Sequence, residues 1–144
     1  QQVLLNGEDV SGLIRTEEVG NMASAVSGYM PVREKLVELQ KQLAAKENVI
    51  MDGRDIGTCV LPDAPAKIYL TASVEVRAAR RYKELLEKGM KADLKEIEKD
   101  IEDRDYRDMH REHSPLKQAE DAVLVDSSHM TIEEVVKAIV DLCK

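Results

Sequence analysis

The chain has 144 residues, with 21 Lys and Arg against 28 Asp and Glu and a formal net charge of −7. An acidic balance disfavours broad binding to nucleic acid or anionic membrane, which needs basic stripes, and 43% hydrophobic with 34% charged residues describe a globular chain about one domain long. With no Trp or Phe and only two cysteines, Cys59 and Cys143, without paired spacing, the composition argues against a stacking platform for single strands, a disulfide framework and a four-ligand zinc site, and it fits a reducing cytoplasm.

Val3-Leu4-Leu5 before Asn6-Gly7 reads as a strand entering a tight turn, since Asn-Gly supplies positive φ, although no partner strand is evident. No apolar run reaches membrane-spanning length, and Gln1-Gln2-Val3-Leu4-Leu5 has no signal or transit pattern. Thr16 before Glu17-Glu18 is an N-cap, and Gly28 is the expected stop of that first helix. Pro31 suits the first turn of a second helix, whose apolar stripe is Val32, Leu36, Leu39 and Leu43. Val49-Ile50-Met51, Lys67-Ile68-Tyr69-Leu70 and Ala122-Val123-Leu124-Val125 are short apolar runs of the kind that form buried parallel strands. Between the last two, Val74 to Lys88 reads as a helix stopped by Gly89, and Asp93 caps another that turns Leu94, Ile97 and Ile101 inward. Thr131-Ile132-Glu133-Glu134 is a capping box that opens a last helix.

Strands alternating with helices imply an α/β fold, a parallel sheet with helices on both faces, and ligands beyond the carboxyl ends of its strands. That rule selects Asp52-Gly53-Arg54-Asp55-Ile56-Gly57-Thr58, Thr71-Ala72-Ser73 and Asp126-Ser127-Ser128. The first places an Arg and two Asp between glycines, which suits gripping a phosphate and accepting from an amine as well as it suits a salt-bridged turn. Arg77, Arg80 and Arg81 share one helical face, and Arg104, Arg107, Asp108 and Arg111 share another. Arg stands at all six of these cationic positions although Lys is plentiful nearby, which favours bidentate anion clamping. His110 and His113 lack a third ligand at suitable spacing, Ser73, Ser127 and Ser128 lack a G-x-S-x-G elbow, and neither G-x-G-x-x-G nor G-x-x-x-x-G-K-[ST] occurs in these residues.

The ordered set Gly7-Glu8-Asp9-Val10-Ser11, Ile14-Arg15-Thr16, Ala23-Ser24, Val32-Arg33, Asp52 to Thr58, Arg77-Ala78-x-Arg80-Arg81, Arg104-Asp105-x-x-Asp108-x-x-Arg111 and Ser114-Pro115-Leu116 resembles the bacterial cytidylate kinase family from about Asn6 to Leu142. The resemblance implies the nucleoside-monophosphate kinase version of the P-loop α/β fold, incomplete here. Residues 1–46 would be part of the CMP-binding insert, and 47–144 the C-terminal part of the core with a helical lid at about 74–113. The implied reaction moves a phosphoryl group from ATP to CMP or dCMP with Mg²⁺, the triphosphate and metal being held mainly by a segment before Gln1. The implied partners are these nucleotides, with no nucleic acid and no membrane.

Position by position, the resemblance gives Ser24, Arg33 and Asp55 to cytosine, Arg104 and Asp108 to the pentose, and Arg54 and Arg111 to the CMP phosphate. Arg77, Arg80, Arg81 and Arg107 would be lid arginines acting on the transferring phosphoryl group, and no metal ligand falls in these residues. Two alternatives are another monophosphate kinase using UMP or AMP, of which UMP is disfavoured by a carboxylate at Asp55 because uracil offers a carbonyl at that edge, and a non-catalytic nucleotide-binding or interaction module. Positioning supplies much of the rate in phosphoryl transfer. Residues 1–144 alone are therefore expected not to turn over ATP and CMP, and a coupled assay on the purified chain, free of host kinase, checks this.

Overall fold

A computed structural model describes residues 2–14 and 16–143; Gln1, Arg15, Lys144 and the side chains of Glu17, Asn21 and Ser24 lie outside the described residues. Length alone suggested a single domain, but the chain divides into two compact units, Gln1–Val49 and Ile50–Lys144. Length measures total core capacity and is blind to a polar break such as Lys46-Glu47-Asn48.

In the first unit, Asn6 and Gly7 both adopt positive φ, 53° and 88°, the pairing that a two-residue hairpin turn needs. The strand before the turn does have a partner: β1 (Leu4–Leu5) pairs antiparallel with β2 (Glu8–Asp9), Leu4 opposite Asp9 and Leu5 opposite Glu8. Because β2 is wholly polar, hydrophobic patterning could not mark it. Helix α1 (Glu17–Val26) starts where Thr16 Oγ1 accepts from the Val19 amide at 3.3 Å. Its end is Ser27, and Gly28 has no positive φ, so no left-handed stop is used there. Helix α2 (Met30–Ala44) carries Pro31 in its first turn, and its stripe of Leu36, Leu39 and Leu43 remains about half exposed.

The second unit is built on β3 (Ile68–Thr71) and β4 (Val123–Asp126), a parallel pair in the register Ile68↔Val123 to Thr71↔Asp126. The expected strand at Val49–Met51 does not form. Among the described residues β3 and β4 ladder only with each other, and an apolar run without a ladder partner has nothing to hold it as a strand; Ile50 is fully exposed. Downstream, Ile56–Val60 makes a π-helical turn, with the Val60 amide donating to Asp55 O and the Leu61 amide to Ile56 O. Two helices carry the chain from β3 across to β4, as a parallel pair requires. Helix α3 (Val74–Glu87) is capped by Ser73, whose hydroxyl accepts from the Val76 amide. It closes at Gly89, φ 71°, with Met90 N donating to Leu85 O and Gly89 N to Leu86 O, the paired bonds of a Schellman end. Helix α4 (Leu94–His110) is capped by Asp93 and packs on α3. Ala78 on α3 is fully buried, and Val60, Ala72, Val125 and Ser127 complete the buried set among the described residues. Helix α5 (Ile132–Leu142) opens with both bonds of the capping box, Thr131 to Glu134 and back.

The left-handed backbone at Gly89 makes a side chain there strained, whereas Gly12 has ordinary φ and open space around it. Gly89→Ala is expected to lower unfolding free energy by about 1 kcal/mol and Gly12→Ala to change it much less, as read from urea unfolding midpoints.

Candidate functional site

The loop from Asp52 to the π-helical turn delivers two charged side chains to one place on α4. The Asp55 carbonyl accepts from the amides of Cys59 (2.8 Å) and Val60 (3.3 Å) and from Thr58 Oγ1 (3.4 Å), so the backbone at this carboxylate is clamped. Asp55 stands at the N-cap of the turn and makes no side-chain cap hydrogen bond to it. Arg111 Nη2 stands 4.0 Å from Asp55 Oδ2, and Arg111 Nη1 stands 4.0 Å from Asp108 Oδ1. Arg54 Nε donates to Asp108 Oδ2 at 2.9 Å, with Arg104 Nε 4.0 Å from the same oxygen.

Three guanidinium groups and two carboxylates therefore meet where the Asp52–Thr58 loop faces the last turn of α4. They sum to one net positive charge. Asp55 and Asp108 are largely covered, at 14% and 20% side-chain exposure, while Arg54 and Arg104 stay open to solvent at 43% and 67%. A covered carboxylate with an open guanidinium beside it suits a ligand that brings both hydrogen-bond donors and an anion. Two further bonds hold the end of α4 in place: Arg111 Nε donates to Ser114 O at 2.6 Å, and the Leu116 amide donates to Asp108 O at 2.8 Å.

The four arginines expected to belong to a lid divide into two kinds. Arg77 forks onto Asp105 (Nη1–Oδ1 3.1 Å, Nη2–Oδ2 2.6 Å) while its Nε donates to Ala72 O at 3.0 Å. Arg80 donates to Ser127 Oγ at 3.2 Å and to Ser127 O at 2.6 Å. Arg81 is paired with the exposed Glu84 of its own helix, and Arg107 Nε donates to Asp103 O one turn back, both side chains facing solvent. Arg33 belongs to the first unit, where its Nε donates to Ser27 O at 3.2 Å; the Ser24 side chain lies outside the described residues.

Spacing along the sequence missed the close partners. Helical periodicity pairs Asp108 with Arg104, yet the short bond comes from Arg54, 54 residues away. Asp105 and Ser127 also escaped notice as partners, although both lie in stretches that chain order or strand ends had marked. Beside Ser127, Ser128 donates its hydroxyl to Asp126 Oδ1 at 2.6 Å and its amide to the same oxygen at 2.9 Å, and accepts from the Ser73 amide at 2.9 Å. The Ser128 hydroxyl, then its amide, hold the Asp126 carboxyl below the ordinary carboxylate range. Among the described residues no three His, Cys, Asp or Glu side chains converge as a metal-holding group. No described helix is long and apolar enough to cross a membrane.

A parallel strand pair bridged by two helices, with arginines and carboxylates gathered on the second, defines an α/β protein of the nucleoside-monophosphate kinase type. The family model described as cytidylate kinase matches residues 1–144, and the chain belongs to that family. Proteins named cytidylate kinase from Lactobacillus johnsonii and Listeria welshimeri are 56% identical over 142 residues and 51% identical over 144 residues. These matches cover 99% and 100% of this chain and 62% and 64% of the relatives. A third, from a Geobacter species, is 54% identical over 136 residues, which is 94% of this chain and 58% of the relative. The chain thus spans somewhat under two thirds of the length of these curated relatives.

Because the Asp126 carboxyl ionises more easily when folded than when unfolded, the stability it contributes is present above the ordinary carboxylate value, about pH 4. That contribution is lost as pH falls through the lower folded value. Asp126→Asn is expected to flatten the fall in unfolding midpoint below about pH 4, as read from thermal unfolding at stepped pH.

Proposed function

We propose that this chain supplies the acceptor-nucleotide side of a cytoplasmic phosphotransferase that moves the terminal phosphoryl group of ATP to CMP or dCMP, giving ADP with CDP or dCDP. The observation that carries this reading is the sharing of Arg111 between Asp55 and Asp108, with Arg54 closed on Asp108. Cytosine offers an exocyclic amine, which a carboxylate such as Asp55 accepts from, and acceptors at O2 and N3. Ribose hydroxyls donate to a carboxylate, the role given to Asp108 beside Arg104. Arg54 and Arg111 neutralise the monophosphate.

Arg81 and Arg107, which face solvent, are the arginines best able to turn onto a transferring phosphoryl group. Arg77 and Arg80 already hold protein acceptors and serve as anchors from which that closure would be made, or be released into it. None of these residues needs to form a covalent bond. Their work is to orient the acceptor oxygen and to offset charge, which is most of what phosphoryl transfer asks of a protein. Magnesium would supply charge neutralisation at the donor triphosphate.

CMP is expected to bind more tightly than UMP by on the order of 1–3 kcal/mol, because uracil turns a carbonyl lone pair toward Asp55 where cytosine would donate a hydrogen bond from its amine. Calorimetric titration with both nucleotides checks this, and equal affinities would remove Asp55 from the base. In the intact enzyme, Asp108→Ala is expected to weaken the use of CMP and dCMP through the sugar. A solvated helix pair would be worth only about 0.3–0.5 kcal/mol of stability and leave kinetics unchanged, so steady-state kinetics of the variant with both substrates separates the two roles.

A further inference from the structure

We propose that Asp105 is a positioning residue: through its forked ion pair with Arg77 it sets the register of the Arg104–Asp108–Arg111 turn of α4 against the end of β3. The Arg77 guanidinium spends its Nε on Ala72 O, the residue that follows β3, and both terminal nitrogens on Asp105. One planar group thus ties α4 to the main chain at the carboxyl end of the parallel pair. A fork onto a carboxylate fixes both distance and orientation, where a single bond fixes distance alone.

The tie falls at the place on α4 that matters for the site. Asp105 follows Arg104 and lies one turn before Asp108, so a rotation or slide of the helix at Asp105 carries Asp108 and Arg111 with it. Asp108 must meet Arg54 at 2.9 Å and Arg111 at 4.0 Å, and Arg111 must reach Asp55 at 4.0 Å. Each of these depends on where the helix stands. The other bonds at this end of α4, Leu116 N to Asp108 O and Arg111 Nε to Ser114 O, connect α4 to the segment that follows it and leave its placement on β3 undetermined. The Arg77–Asp105 pair is also well covered, at 34% and 19% side-chain exposure, so solvent screens it less than the open pairs of the helix surfaces.

The inference rests on the acceptor-site reading only for its functional consequence, so its test has one readout that needs no nucleotide. In ¹⁵N-labelled protein, the Arg54 Nε–H that donates to Asp108 is expected to exchange with water about five- to tenfold faster in Asp105→Asn, and close to the native rate in Asp105→Glu, which keeps the carboxylate. Thermal unfolding of both variants is recorded alongside. The Kd for CMP is expected to rise by about the same factor in Asp105→Asn. If Arg54 exchange stays native in Asp105→Asn while Arg77 Nε–H exchange rises, the pair has been broken without moving the site and the inference is overturned. If Arg54 exchange rises as expected but the unaltered protein takes no CMP, the inference stands and the acceptor-site reading falls. Should Asp105→Asn fail to fold, Arg77→Lys, which keeps the charge and loses the fork, is read in the same way, and native Arg54 exchange in it overturns the proposal.

Discussion

Ser127 is the point on which the second unit hangs. It is buried, at 5% exposure, directly after β4. Its amide and hydroxyl both donate to Thr71 O, at 2.8 Å and 3.0 Å, and its hydroxyl and carbonyl both accept from Arg80. A buried polar group is costly unless it is fully paired, and here every polar atom of the residue has a partner. The same contacts extend the parallel ladder by one bond and pull a cationic helix onto its end, so strand pairing and helix placement become one event.

From that point outward the molecule places charge by charge. Arg80 sets α3 on β4, Arg77 sets α4 on β3, and Arg54 joins the Asp52–Thr58 loop to α4. Each is an arginine reaching a backbone carbonyl or a carboxylate, and each bridges elements far apart in sequence. The apolar core is correspondingly slight, with Val60 the one large side chain fully buried among the described residues. In such a frame a Lys in place of Arg would keep the charge and lose the geometry.

Local signals were well written in the chain. Thr16, Asp93 and Thr131 each cap the helix that their residue type announces, and Gly89 ends α3 through the left-handed backbone that glycine tolerates. What could not be read locally was pairing. Val49-Ile50-Met51 has strand composition and no ladder, while Glu8-Asp9 has no strand composition and pairs through the turn before it. The arginines were legible as a group, because Arg recurs where Lys would have sufficed for solubility. Their division was not: Arg77 and Arg80 differ from Arg81 only in which way the face they share turns toward Asp105 and Ser127, a fact of tertiary placement.

The π-helical turn at Ile56–Val60 has a consequence for how this stretch tolerates changes in length. Its bonds run from the Val60 amide to Asp55 O and from the Leu61 amide to Ile56 O, one residue longer than an α-helical turn. Deleting any single residue from it would let the turn relax to ordinary α-helical pairing, and one residue corresponds to about 100° of rotation. The Val60 side chain, 1% exposed, anchors the far end in the core. The rotation would then appear at the near end and swing the Asp55 carboxylate away from Arg111, so the stretch is closed to changes of count.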